Sequence, residues 1–215
     1  MKKILISVIL MLAIWMSLAA CSPSTGDPST GDSSSGSDTI DTEEKQAICE
    51  LLNELSRASY KTVRLDITTQ TGELELKGEY VLTAKEVTYL VERMNLLPED
   101  GDPEGVSPDA KTVLKGSATI ENGTVTKLDG DAVELPDYDA LKGAFDFKES
   151  YFQNVEKKNG AFYADVVSAG AFLGTDQALN NVKLTVQYND SALEKMVITY
   201  QTANATVTTE YVFEA

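Results

Sequence analysis

Histidine is missing from all 215 residues of the chain. Its absence excludes Ser-His-Asp and Cys-His catalysis and most metal hydrolases, which need an imidazole base or ligand. Cysteine is nearly as scarce, with Cys21 and Cys49 the only two. Basic residues are few: 18 Lys and Arg stand against 34 Asp and Glu, a net charge of −16. A chain so acidic is repelled by polyanions, which excludes nucleic acid as a partner. The plain role of such charge is solubility. No nucleophile elbow, P-loop, dinucleotide fingerprint or zinc motif occurs, so no cofactor is expected. The remaining enzymatic reading is a carboxylate-based hydrolase, and the abundance of acids selects no pair for it.

What is present begins at the amino terminus. Lys2 and Lys3 precede an uncharged apolar run from Ile4 to Leu18, the n-region and h-region of a secretory signal. The run is shorter than the roughly 20 residues of a bilayer span. It closes on Leu18-Ala19-Ala20-Cys21, with small residues where a peptidase must approach the backbone. These four residues resemble the bacterial lipobox. The resemblance implies a diacylglyceryl group on the Cys21 thiol and cleavage between Ala20 and Cys21. An ordinary secretory signal with a chance cysteine is the other reading of these residues. On the lipobox reading residues 1–20 are a lipoprotein signal. The protein is then held by lipid on the extracytoplasmic face of a cell membrane. One acyl chain holds only marginally, and two or more make release negligible.

Residues 21–40 follow as the lipidated cysteine and a tether. The stretch SPSTGDPSTGDSSSGSDTI is almost all Ser, Thr, Gly, Pro and Asp and cannot offset its ordering entropy by burial. Its mean reach is roughly 25 Å. Residues 41–215 show no second shift of composition and suit one domain. With Cys21 acylated, Cys49 is left alone and no disulfide can brace that domain. Cys49 is expected as a half-buried structural thiol on a helix.

The hydropathy period sets the architecture. Asp41-Thr42-Glu43-Glu44 reads as a capping box, with Asp41 as N-cap and Glu44 reaching back. Ile48, Leu51, Leu52, Leu55 and Ala58 then recur at helical spacing over 41–59. From Tyr60 the period becomes two. Val63, Leu65 and Ile67, then Leu74 to Leu82, then Val87 to Val91 predict a three-stranded meander, with Gly78 as a bulge or a close approach. Strand character resumes at Lys111, turns at Asn122-Gly123 and returns over 124–134. Residues 135–142 suit a short helix or loop. Residues 144–156 and 161–168 flank Asn159-Gly160 as another hairpin, and 169–181 is a connection carrying Phe172 and Leu173. Three more strands around 182–188, 196–200 and 207–213 complete about ten. The fold class is mainly β (α+β): a curved antiparallel sheet or unclosed barrel with an N-terminal amphipathic helix.

That order resembles the LolA/LolB-like lipoprotein-carrier superfamily. The resemblance lies in the helix 43–58, in the meander with Gly78-Glu79-Tyr80 and Val87-Thr88-Tyr89-Leu90-Val91-Glu92, and in the final pair ending Tyr211-Val212-Phe213. It implies a helix before an unclosed antiparallel barrel whose hollow is covered by helices. A carrier diffuses, whereas this chain reads as anchored.

Candidate sites follow from the same pattern. If the sheet curves under partial cover, its apolar face leaves a cleft for an acyl chain or other apolar ligand, with Tyr80, Tyr89, Tyr200, Tyr211 and Phe213 lining it. If the helix fills the hollow, those side chains are core. The first case gives a non-enzymatic envelope lipoprotein binding an apolar or amphipathic ligand. The second gives a surface interaction protein displaying a filled β domain to a protein or glycan. Asp100, Asp102 and Glu104 alternate before Gly105 as at the start of a calcium loop. Lys111 stands where the loop needs a bidentate Glu, so a solvated acidic loop without metal is expected.

Overall fold

The computed structural model describes residues 40–94 and 111–215. Helix α1 spans Thr42–Ser56. Asp41 caps it, its carboxylate accepting from the Glu44 amide at 2.8 Å. The reciprocal half of the expected capping box is not formed. Glu44 instead faces Lys157 at 3.8 Å, because the helix start lies beside the hairpin that Asn159-Gly160 turns. Ile48, Cys49, Leu52 and Leu55 are buried, while Leu51 remains partly exposed at the margin of the stripe.

Ten strands follow. The first five are β1 (Thr62–Thr71), β2 (Leu74–Leu82), β3 (Glu86–Met94), β4 (Lys111–Glu121) and β5 (Thr124–Gly130). The second five are β6 (Phe152–Lys158), β7 (Ala161–Val166), β8 (Asn180–Tyr188), β9 (Leu193–Gln201) and β10 (Thr206–Glu214). They form one unclosed sheet in the order β5-β4-β3-β2-β1-β10-β9-β8-β7-β6. Every neighbour is antiparallel. The chain therefore starts at the centre, winds outward to β5, crosses to the far edge at β6 and winds back until β10 pairs with β1. Asn122-Gly123 and Asn159-Gly160 turn two of the hairpins with positive φ at both residues, the pair that a tight hairpin of this twist demands.

Gly78 makes no bulge. It pairs in unbroken register with Ile67 and Val91, and the Tyr80 ring lies over it, 3.3 Å from where a Cβ would stand. The returning strand expected over 124–134 stops at Gly130, whose φ of +108° turns the chain out of the sheet. The strand expected from residue 144 begins only at Phe152. Residues 131–151 are spent on the crossover, which holds helix α2 (Tyr138–Lys142) and a 3-10 turn at Glu149–Tyr151. The connection after β7 forms helix α3 (Ala169–Leu173).

Period-two burial runs through the sheet. One face carries Val63, Leu65 and Ile67 of β1 and Val207, Tyr211 and Phe213 of β10, all buried, while Arg64, Asp66 and Glu210 face outward. A sheet with one apolar face must cover it. Here α1, the crossover 131–151 and the connection 167–179 do so. No helix among the described residues is long and apolar enough to cross a membrane.

Candidate functional site

The inner face carries the five aromatic residues expected to line a cleft. Cross-strand pairing puts Met196, Tyr211, Leu65, Tyr80, Tyr89 and Gly116 in one continuous row from β9 to β4. Three of the five thus stand close together because their strands are neighbours in register. Tyr200 stands further along the same face, opposite Val207, and Phe213 flanks the row on the other side, opposite Val63. All five are buried.

Their surroundings separate them by use. The Tyr89 hydroxyl donates to the Asp131 carbonyl and secures the start of the crossover, while the Asp131 carboxylate accepts from the Lys115 amide at 2.9 Å. Gly116 leaves room for that ring, since a Cβ there would overlap the Tyr89 hydroxyl. Phe213 packs on Tyr60, ring centres 4.9 Å apart, and Tyr60 joins the Leu55 carbonyl to the Leu193 amide. Tyr89 and Phe213 therefore hold the cover in place.

Tyr200 and Tyr211 instead line a cavity of about 30 Å³ between sheet and cover. Its floor includes Leu65, Ile67, Ile198 and Thr209, and its roof Pro136, Phe145, Leu173, Gln177 and Leu179. Burial pushes both phenols well above their ordinary range, and for Tyr211 the nearby Tyr200 and Asp137 push the same way. Burial likewise moves Tyr80 up to about 12. In the row of Tyr200, Thr69 holds a buried hydroxyl oxygen without a partner among the described residues.

Hydrogen bonds tie the cover to α1. The Asn53 side chain donates to the Phe147 carbonyl at 2.7 Å and accepts from the Phe147 amide at 2.9 Å, imitating a strand neighbour. The Ser56 hydroxyl lies 3.4 Å from the Phe145 carbonyl, whereas Lys45 ties α1 to the sheet, donating to the Phe152 carbonyl at the start of β6 at 2.7 Å. Phe145, Phe147, Phe152 and Phe172 form one ring cluster, centres 5.1 to 6.2 Å apart. Sequence reasoning misses Asn53, Phe145 and Gln177. The alternation in Phe145-Asp146-Phe147 does signal one apolar side, but it reads equally as a strand.

A second, open groove of about 430 Å³ runs beside edge strand β5, with Val125, Leu128, Val133, Leu135 and Tyr138 among its walls. On the outer face Asp66 pairs across strands with both Glu79 and Glu210, with Arg64 2.9 Å from Asp66 and Lys195 2.8 Å from Glu210. These acids stand on an outward sheet face rather than in a groove. Cys49 is more deeply buried than expected, 3% exposed, and desolvation moves its thiol up to about 11. No cluster of three or more His, Cys, Asp or Glu is arranged to hold a metal among the described residues. Asp100, Asp102 and Glu104 lie outside them, as do Ala20 and Cys21. Compared with known proteins, the chain matches no family model and no curated sequence.

Proposed function

We propose that this chain is an exported lipoprotein, lipid-anchored through Cys21 on the extracytoplasmic face of a membrane, whose sheet binds an apolar or amphipathic ligand beneath its cover without catalysis. The ligand reading is carried by the cavity between sheet and cover, apolar on most sides and bordered by Tyr200 and Tyr211. At about 30 Å³ it has the volume of one water rather than the several hundred Å³ of a ligand pocket. The ligand therefore enters by parting cover from sheet. Hydrogen bonds from Asn53 and Ser56 join α1 to the crossover, and opening must also break bonds from cover to sheet, among them Tyr89 to the Asp131 carbonyl, Lys45 to the Phe152 carbonyl and the Leu193 amide to Tyr60. Beside the cavity the contact of cover on sheet is apolar, Phe145 on Tyr211, and an acyl chain can replace it like for like.

The open groove beside β5 favours a second reading, a surface interaction protein with a filled domain. An edge strand presents unpaired backbone groups to an incoming extended segment. Native mass spectrometry separates the two. The hydrophobic core lies between residues 40 and 215, so a chain beginning at Ser22 keeps it whole. A lipid mass carried by that chain supports the first reading, and a bare mass after exposure to membrane extract refutes it. For the anchor, Cys21→Ser should abolish labelling by an alkyne fatty acid and shift the protein out of the membrane fraction. Retention of residues 1–20 in the native protein would refute the anchor.

A further inference from the structure

The lining of the cavity bears on the polar end of its ligand. None of the side chains lining it is charged. Its polar members are Tyr200, Tyr211, Thr209 and Gln177, which together offer donors and acceptors of hydrogen bonds but no counter-ion. Resting on the ligand reading above, we propose that the molecule beneath the cover is an amphiphile with an uncharged polar end, a hydroxyl, ester or amide, hydrogen-bonded by Tyr200 and Tyr211.

Electrostatics sets this preference. A carboxylate or phosphate brought here leaves water without meeting a cation, and an unpaired buried charge is among the least favourable states a protein can hold. Asp137 of the cover, an acidic side chain that helps push Tyr211 upward, disfavours negative charge at this place. Asp137 is fixed in place, because its carboxylate caps α2 by accepting from the Ala140 amide at 2.8 Å. A cationic head finds no carboxylate among the lining side chains either. A neutral head meets none of these costs. It meets two phenol hydroxyls in the cavity lining, and the raised phenols stay protonated donors throughout the physiological range.

Displacement of the neutral dye N-phenyl-1-naphthylamine from the chain beginning at Ser22 tests this. Monoolein, oleate and oleylamine share one acyl length and differ in head charge. At pH 8, below micelle-forming concentrations, monoolein should displace the dye at least about tenfold more tightly than either charged relative. Tyr200→Phe and Tyr211→Phe, with melting temperature as the control for folding, should each weaken monoolein about three- to tenfold and erode its preference over oleate. Equal or tighter displacement by oleate or oleylamine overturns the uncharged-head inference and leaves ligand binding intact. Failure of the dye and all three amphiphiles to bind overturns both.

Discussion

Replacing Asn53 with alanine should loosen the cover and lower the stability of the whole domain. The side chain closes two hydrogen bonds on one residue, to the carbonyl and the amide of Phe147. Removing it strips both backbone groups of their partner beside a Phe147 side chain that is 1% exposed. An orphaned buried group costs about 1–3 kcal/mol, and Asn53 is only partly buried, so water recovers some of that. The expected loss is about 2–3 kcal/mol, or roughly 4–12 °C in melting temperature for a domain of this size. Asn53→Asp discriminates further. An ionised carboxylate still accepts from the Phe147 amide but presents an acceptor to the Phe147 carbonyl. At pH 7 this variant should be at least as unstable as the alanine one. Its carboxyl is favoured protonated in the folded state, so its folded pKa is raised. The deficit relative to the parent is therefore full above that pKa and shrinks as pH falls toward about 4 and below, where the protonated oxygen donates. Urea unfolding at neutral and acid pH, with hydrogen exchange at the Phe147 amide, measures both effects. An alanine variant within about 0.5 kcal/mol of the parent, with undiminished Phe147 protection, would sink the assignment of Asn53 as the fastening of the cover.

Gly116→Ala should cost about 2–4 kcal/mol in urea unfolding, from overpacking and from the lost Tyr89–Asp131 bond. A new Cβ would overlap the Tyr89 hydroxyl and the Asp129 carbonyl and lie 2.7 Å from Tyr89 Cζ, so an unchanged midpoint contradicts this packing. Cys49, buried and raised to about 11, should react with Ellman's reagent at pH 8 at least about a hundredfold more slowly than in urea. Equal rates would show that α1 does not seal it. Tyr80, Tyr200 and Tyr211 keep their protons in the folded state after unfolded phenols have lost theirs. Their raised values leave stability untouched below about pH 10 and lower it as pH climbs beyond. Absorbance of phenolate should show these three titrating only with unfolding; simultaneous titration of all nine tyrosines in a folded protein contradicts their burial.

Local periodicity by itself determined most of the fold. Val63-Arg64-Leu65-Asp66-Ile67 buries alternate side chains on one face only as a strand, and Asn122-Gly123 supplies the two positive φ values of a tight hairpin. The stripe from Ile48 to Leu55 reaches one surface only as a helix. Strand count, antiparallel pairing and the place of the helix were therefore legible in the chain. The path of the crossover was not legible there. Alternation at Phe145-Asp146-Phe147 is common to a strand and to an extended segment lying over a sheet, and only the pairing partners tell them apart. Phe147 finds its partner in the side chain of Asn53, 94 residues away. The same limit governs the inner face. Spacing places Tyr80, Tyr89, Tyr200, Tyr211 and Phe213 on one side of the sheet, but which of them meets a cavity depends on where the cover touches down. That is settled by contacts between Phe145, Leu173 and Leu179 and the distant strands beneath them, long-range packing that no local pattern encodes.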